Sequence, residues 1–247
     1  MTATPDTVPD AEGRRAELAD ALAAVRERVA AAARAAGRDP GEIGLLAVTK
    51  TWPASDVALL ADLGLDAFGE NKEQEGSAKA AELAALRPGV AARWHVVGRL
   101  QRNKARSLVR WAHAVDSVDS ARLVDALEAA AAKAVDAGER PDPLAVLVQV
   151  SVDADPGRGG APVAEVEALA DRVAGCAHLR LDGVMTVAPQ DVAPEEAFAT
   201  VWEVAQRVRA AHPRATTLSA GMSGDLEAAV AHGSTCVRVG TALLGRR

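Results

Sequence analysis

Residues 45–53 read Leu-Leu-Ala-Val-Thr-Lys-Thr-Trp-Pro, a short apolar run that ends in a lysine and is closely followed by a proline. Pro53 has no N–H group for a sheet ladder, so the run predicts a strand that stops near Lys50. A lysine at the end of a buried strand is costly to desolvate unless it has a partner or a chemical task. Burial would also favour the uncharged amine, which is the form that attacks a carbonyl carbon.

The alternation of a short apolar strand with a helix continues along the whole chain. Periodicity predicts strands at 43–50, 65–69, 93–97, 114–118, 144–150, 181–188, 216–220 and 236–239. It predicts helices at 14–36, 55–63, 71–86, 101–111, 120–135, 163–174, 194–211 and 223–231. We expect Gly37 to end the first helix, and Ser55 and Ser223 to be N-caps.

Eight strands alternating with helices favour an α/β fold, a single (β/α)8 TIM barrel with an extra N-terminal helix. A doubly wound open sheet is the structural alternative, and the count of eight and the lack of a dinucleotide fingerprint disfavour it. Residues 1–13 are polar and acidic with two prolines, and they predict a disordered tail before a barrel domain at 14–247. They lack the basic start and apolar run of a signal peptide, which predicts a cytoplasmic protein.

Composition excludes several classes of function. The net charge of −6 argues against broad binding to nucleic acid or to an anionic membrane, and no apolar run reaches the roughly 18 residues of a membrane helix. Two cysteines, Cys176 and Cys236, do not make a disulfide framework and are predicted to be small buried hydrophobic residues. The five histidines have no metal-ligand spacing, so we expect no metal site.

The predicted strand ends place chemically useful residues on one face, because the sites of such barrels form at the C-terminal ends of the strands. They are Lys50, residues 69–71, Gly98, Asp116 with Asp119, Ser151, Met185 with Thr186, residues 219–223 and residues 240–241. The set combines one amine, several small hydrogen-bonding groups and two glycine-rich turns. Residues 73–79, with two glutamates and a lysine, are predicted instead to be a solvated helix face.

Two of these turns predict a phosphate site. Residues 219–225 read Ser-Ala-Gly-Met-Ser-Gly-Asp, and residues 238–242 read Arg-Val-Gly-Thr-Ala. The seventh and eighth loops of such barrels often bind phosphate at the start of a short helix. The alternative is that Gly221 and Gly240 only make turns and Ser223 only caps a helix.

Strand alternation directs Arg238 into the barrel, where a guanidinium needs acceptors. Either a structural partner such as Asp116 or a bound ligand would supply these acceptors, and the sequence leaves both alternatives open. His95, within the third strand, is either a ligand contact or a core histidine. Residues 221–225 miss the nucleophile-elbow pattern because Asp225 replaces the second glycine, so a hydrolase triad is disfavoured.

Lys50 with a phosphate pocket predicts Schiff-base chemistry. The partner aldehyde or ketone is either pyridoxal 5'-phosphate (PLP) or the sugar phosphate of a class I aldolase, and the residues alone leave both open.

Six motifs, in order, resemble the PLP homeostasis protein family. They are Ala-Val-Thr-Lys-Thr at 47–51, Phe-Gly-Glu-Asn at 68–71, Trp-His-Val-Val-Gly at 94–98, Gly-Val-Met-Thr-Val-Ala-Pro at 183–189, Leu-Ser-Ala-Gly-Met-Ser-Gly-Asp at 218–225 and Val-Arg-Val-Gly-Thr at 237–241. The resemblance runs from about residue 14 to 245. It implies the fold of the alanine racemase N-terminal domain, a PLP-binding barrel.

The resemblance also implies roles for residues. Lys50 would carry PLP as an internal aldimine, and the phosphate would lie against Ser223 and the Gly240–Thr241 backbone. Arg238 would lie near the pyridine nitrogen and disfavour its protonation by like-charge repulsion, which weakens the ring as an electron sink. The remaining cofactor-binding residues implied are Asn71 and Met222, followed by His95, Met185, Ser219 and Gly221.

The chain contains no tyrosine. Alanine racemases that resemble this barrel pair the PLP lysine with a tyrosine base that is supplied with a second, mainly β domain, for which this length leaves no room. The resemblance and the missing tyrosine together imply a PLP carrier or buffer in vitamin B6 homeostasis, with little or no catalysis, no catalytic residues, and transfer of PLP to apo-enzymes as a further role. Nothing in the sequence resembles a dimer-forming domain, so we expect a monomer. The alternatives are a PLP-dependent amino-acid racemase and, less favoured, a class I aldolase.

Overall fold

Parallel strands close into a barrel in the computed structural model, which describes residues 11–155 and 157–246. The barrel strands are β1 (Gly44–Val48), β2 (Ala67–Glu70), β3 (Arg93–Val96), β4 (Ala114–Val118), β5 (Leu144–Ser151), β7 (Leu179–Thr186), β8 (Thr217–Ser219) and β9 (Cys236–Val239). Each pairs with its neighbour in chain order, β5 pairs with β7, and β9 pairs with β1. A two-residue strand, β6 (Ala161–Pro162), pairs with β5. The predicted (β/α)8 barrel is confirmed, and the open sheet is excluded.

Helices surround this barrel. They are α1 (Ala11–Ala35), α2 (Ala54–Asp62), α3 (Glu73–Leu86), α4 (Ala105–Leu108), α5 (Ala121–Asp136), α6 (Val166–Ala174), α7 (Pro194–Ala211), α8 (Leu226–Ala231) and α9 (Thr241–Leu244). Short 3-10 turns lie at Pro40–Glu42, Arg102–Lys104 and Val163–Glu165. None of the helices within 11–155 and 157–246 combines the length and apolar character that crossing a bilayer requires.

Apolar side chains fill the layer between strands and helices. Every residue of β5 is buried, as expected for a parallel strand covered on both faces. One apolar cluster packs α5, α6 and α7 against β4, β5 and β7, and a second packs α1 and α2 against β1, β2 and β9. The buried stripe of α1, Leu18, Leu22, Val25 and Val29, lies in the second cluster, so the extra N-terminal helix covers the side where β9 meets β1.

Several predicted boundaries differ from the structure. Helix α1 begins at Ala11, so residues 11–13 are helical rather than part of a tail, and residues 1–10 lie outside the described part. The helix predicted at 101–111 is a 3-10 turn followed by the four-residue α4. Gly37 does end α1, with φ of +67° and the Arg38 N–H donating to the Ala33 carbonyl at 2.9 Å.

Both predicted serine N-caps are wrong. Helix α2 begins at Ala54, and its N-cap residue is Pro53, which has an extended backbone conformation. Ser55 therefore lies inside the helix. Helix α8 begins at Leu226 after Asp225. The Ser223 hydroxyl instead accepts a hydrogen bond from the Ala242 N–H at 3.2 Å, so tertiary contact between two loops replaces the local cap.

Candidate cofactor site

Lys50 lies on a turn at the C-terminal mouth of the barrel. Strand β1 ends at Val48, Thr49 is fully buried, and the Lys50 side chain is exposed. Within residues 11–155 and 157–246, Lys50 makes no hydrogen bond or ion pair. The expectation of a desolvated lysine at the end of the strand is therefore wrong, because the strand stops at Val48, two residues before Lys50. The amine is accessible to a carbonyl compound that enters the mouth.

A buried charge pair lies beneath this turn. The Lys79 ammonium donates to the Thr49 carbonyl at 2.8 Å and to Glu70 Oε1 at 2.6 Å. The Thr49 hydroxyl donates to the same Glu70 oxygen at 2.6 Å. Burial raises the pKa of the Glu70 carboxyl, while the hydrogen bonds from Lys79 and Thr49 act against that rise.

The prediction of a solvated face for residues 73–79 is wrong. Lys79 is 5% exposed and Glu73 is 9% exposed, because this side of α3 packs on the barrel rim. Glu75 Oε1 lies 3.3 Å from the Lys79 ammonium and also accepts from the Thr51 N–H. The only sequence signal for this contact was the spacing of four residues between Glu75 and Lys79.

Arg238 points into the barrel, as alternation predicted. It is 4% exposed, whereas Val237 and Val239 lie in the apolar cluster under α1 and α2. Its guanidinium donates to the Ser219 hydroxyl at 2.9 Å and to the Thr186 carbonyl at 2.6 Å. Burial lowers the pKa of Arg238. These acceptors hold the guanidinium beneath the mouth and leave part of its five-donor capacity for a ligand.

The suggested Arg238–Asp116 ion pair is not formed among the described residues. Asp116 Oδ1 lies 3.0 Å from His95 Nδ1 instead, and Asp116 Oδ2 is buried without a hydrogen-bond partner in the part of the chain that the structure describes. His95 also lines a cavity with Asp182 and Thr217, which lie towards the opposite, N-terminal ends of the strands. The structure therefore separates His95 from the residues at the mouth.

The seventh and eighth loops meet beside the Lys50 turn. Ser223 and Ala242 are joined by the hydrogen bond described above, and Gly240 follows β9, which pairs with β1. A Cβ atom on Gly240 would lie 3.2 Å from the Val48 carbonyl, two residues before Lys50. Thr241 is exposed at the start of α9. Ser223, Gly240 and Thr241 therefore lie together on the side of the mouth where β1 ends.

Other predicted residues line the same end of the barrel. Met185 and Ser219 are buried neighbours on β7 and β8, whereas Met222 is 39% exposed. Asn71 is exposed after β2, and a Cβ atom on Gly98 would lie 2.2 Å from its amide oxygen. Gly98 thus leaves the space that Asn71 occupies. Gly221 has φ of +91°, and a Cβ atom there would lie 2.6 Å from the Ala229 Cβ, so a side chain would not fit.

An arginine-lined cavity lies elsewhere on the mouth. It has a volume of about 1020 Å³ and opens between the loops after β3 and β4, with Arg99, Arg102 and Arg122 in its lining. Lys50, Ser223 and Gly240 do not line it. The described residues contain no group of three or more histidine, cysteine, aspartate or glutamate side chains arranged to hold a metal ion.

We expect Cys236 to be nearly inert to alkylation in the folded protein. Both cysteines are free and partly buried, and burial, with the charge of Asp116 adding to it, raises the pKa of the Cys236 thiol to about 11. Two pKa units lower the thiolate fraction near pH 8 by ~100-fold. Iodoacetamide labelling followed by peptide mass spectrometry should show slow reaction at Cys236 that speeds up as the pH rises.

Urea-unfolded protein provides the control for this labelling, because Cys176 and Cys236 should then react alike. Equal labelling rates of Cys236 in folded and unfolded protein near pH 8 would contradict the prediction.

Sequence comparison finds similar proteins over the whole length of the chain. The sequence model of the family described as "Alanine racemase, N-terminal domain" matches residues 21–247. A protein of Mycobacterium tuberculosis named pyridoxal phosphate homeostasis protein is 52% identical over 256 residues, which cover 100% of this chain and 98% of the relative.

Structural comparison gives the same fold. PipY of Synechococcus elongatus, solved with PLP bound, has a TM-score of 0.78 and 32% identity, covering 92% of this chain and 100% of PipY. The alanine racemase of Streptomyces coelicolor has a TM-score of 0.70 and 21% identity, covering 94% of this chain and 59% of the racemase. The second likeness shows the fold alone.

Proposed function

The chain belongs to the pyridoxal phosphate homeostasis protein family, within the wider family of the alanine racemase N-terminal domain, and from this premise we propose that it binds PLP as a Schiff base on Lys50. Its role is intracellular vitamin B6 homeostasis, in which it carries or buffers a reactive aldehyde. The observation that carries the proposal is the Lys50 amine, which lies accessible and without a hydrogen bond or ion pair among the described residues beside two loops rich in small residues.

The groups around the mouth fit such a cofactor. The aldehyde of PLP reacts with an amine, and its phosphate is bound by hydroxyl and backbone N–H donors. Its pyridine ring is bound by apolar contacts, with a polar group beside the ring nitrogen. Ser223 and the Gly240–Thr241 backbone would hold the phosphate, since they lie where β9 and β1 end together. The missing side chain of Gly240 keeps that corner open beside the Val48 carbonyl.

Arg238 would face the pyridine nitrogen from below. The Ser219 hydroxyl and the Thr186 carbonyl hold its guanidinium in place. A positive charge there disfavours protonation of the ring nitrogen, and PLP with an unprotonated ring supplies a weaker electron sink. The arrangement therefore favours binding of the cofactor and gives little stabilisation to a carbanion.

Asn71 and Met222 would line the ring at the surface, with Met185, Ser219 and Gly221 forming the floor. We leave His95 out of this set because its side chain pairs with Asp116 and lines the opposite end of the barrel.

Little or no catalysis follows from the same residues. The chain has no tyrosine for the second base of a two-base racemase. We therefore assign no catalytic residue, and the racemase and aldolase alternatives are not favoured. A cytoplasmic monomer that passes PLP to apo-enzymes is part of this proposal.

Borohydride reduction tests the proposal directly. The purified protein is incubated with PLP, reduced, digested and analysed by mass spectrometry. We expect a pyridoxyl group on the peptide that contains Lys50. A sugar phosphate trapped on Lys50 without any pyridoxyl adduct would favour the aldolase, and α-proton exchange of amino acids in deuterated water would favour the racemase. A protein that forms no pyridoxyl adduct contradicts PLP binding on Lys50.

A further inference from the structure

A cluster from helix α3 and strand β2 holds the turn that carries Lys50. We call Glu70, Glu75 and Lys79 the α3 clamp. An ammonium has three N–H donors. Those of Lys79 have three acceptors within reach: the Thr49 carbonyl at 2.8 Å, Glu70 Oε1 at 2.6 Å and Glu75 Oε1 at 3.3 Å. The buried amine is thus fully engaged, unlike the exposed amine of Lys50.

The clamp holds both neighbours of Lys50 and leaves Lys50 itself untouched. The Thr49 carbonyl and hydroxyl are bound by Lys79 and Glu70, and the Thr51 N–H donates to Glu75. The Thr49 N–H also donates to the Gly69 carbonyl at 3.0 Å. The two peptide units that join Lys50 to Thr49 and Thr51 set the direction of its side chain. The clamp therefore fixes the residue on each side of Lys50.

Backbone strain marks the same turn. Thr51 has φ of +68°, which is a rare conformation for a β-branched residue. Such a conformation costs on the order of 1–3 kcal/mol and persists only where the surrounding structure enforces it. The hydrogen bond from the Thr51 N–H to Glu75 is one of the contacts that enforce it here.

The clamp is a poor device for stability alone. A buried ion pair is often no more stabilising than apolar residues of similar volume, because both charges must be desolvated. Glu70 is fully buried, and its second oxygen, Oε2, has no hydrogen-bond partner within residues 11–155 and 157–246. The buried charges that carry this desolvation cost lie directly beneath the turn that presents the accessible Lys50 amine.

We infer that the α3 clamp positions Lys50 for Schiff-base formation, by holding the turn in the conformation from which the amine reaches the aldehyde carbon. The inference rests on the function proposed above. In that step the neutral amine adds to the aldehyde carbon, the C=N bond forms, and the aldehyde oxygen leaves as water with both amine protons. Glu70, Glu75 and Lys79 are positioning residues, since they act through Thr49 and Thr51.

Glu75→Ala is the variant that tests the inference with least risk to folding, because Glu75 is partly exposed. It removes the acceptor of the Thr51 N–H. We expect the rate of Schiff-base formation with PLP to fall ~10-fold or more, equivalent to ~1.4 kcal/mol. Hydrogen exchange of residues 49–52 in PLP-free protein should become faster. Glu75→Gln keeps an acceptor oxygen and should restore most of the rate.

A second variant tests the buried part of the clamp. Lys79→Met combined with Glu70→Gln removes both charges together, so no unpaired charge stays buried. Arg140→Met is the matched control, because Arg140 is a partly buried arginine that donates to the Val109 and Ala112 carbonyls at 2.8 Å, away from the mouth. The two variants are compared under conditions in which their free energies of unfolding are equally reduced. Only the clamp variant should then take up PLP more slowly and show faster hydrogen exchange at residues 49–52.

The outcomes separate this inference from the proposed function. Wild-type protein that loads PLP on Lys50, with clamp variants that load at the same rate, overturns the positioning role alone. Wild-type protein that takes up no PLP overturns the proposed function and this inference with it. Slower loading with faster exchange in the clamp variants, and neither change in Arg140→Met, supports both.

Discussion

Lys50→Ala abolishes the covalent PLP adduct and the visible absorption of the Schiff base, and this is the largest expected effect on binding. Without the amine, PLP is held only by the phosphate loops and ring contacts. We expect affinity to fall by ~100-fold or more, equivalent to ~2.8 kcal/mol. Because Lys50 is exposed and has no hydrogen bond or ion pair within 11–155 and 157–246, the free energy of unfolding should change by less than about 0.5 kcal/mol.

Lys72→Ala is the matched control, since Lys72 is an exposed lysine just before α3 at the same end of the barrel. It should retain the adduct and its absorption spectrum. Spectroscopic titration with PLP and mass spectrometry after borohydride reduction provide the measurements. A pyridoxyl group that persists in Lys50→Ala, on Lys72 or Lys79, would contradict the assignment of Lys50.

Gly183→Ala destabilises the barrel more than any other substitution proposed here. Gly183 lies in β7 with φ of +148°, and a Cβ atom would come within 1.9 Å of the Thr217 carbonyl oxygen on the paired strand β8. The clash is with backbone, so only separation of β7 from β8 relieves it. Strain together with overpacking should reduce the free energy of unfolding by ~3 kcal/mol or more.

Gly64→Ala separates the two causes of this loss. Gly64 also has positive φ, at +85°, but a Cβ atom there would meet no atom of the described residues within 4 Å. Its substitution should cost only the conformational strain, ~1 kcal/mol. Urea unfolding followed by circular dichroism measures both variants. Similar losses for the two would show that the contact with Thr217 does not matter. Because β8 carries Ser219 towards Arg238, Gly183→Ala should also weaken PLP binding.

The barrel could be predicted from the sequence because its signals are local. Alternation of apolar strands with amphipathic helices identified the strands that close the barrel, and their residues were close to those observed. The inward direction of Arg238 followed from its two valine neighbours, since side chains alternate along a strand. The motifs around Lys50, Ser223 and Gly240 indicated the family, which full-length similarity confirmed. Their roles in binding PLP stay predictions.

The sequence by itself thus determined the strand and helix pattern, the barrel and the family, and it singled out Lys50 as the amine that we predict to react. Only the tertiary structure decided that Lys50 is exposed while Lys79 is buried, although the sequence pattern favoured the reverse. It also decided that Arg238 binds Thr186, 52 residues away, rather than Asp116. Such partners are set by barrel closure, which brings the ends of distant strands together, and no local pattern records which side chains then meet.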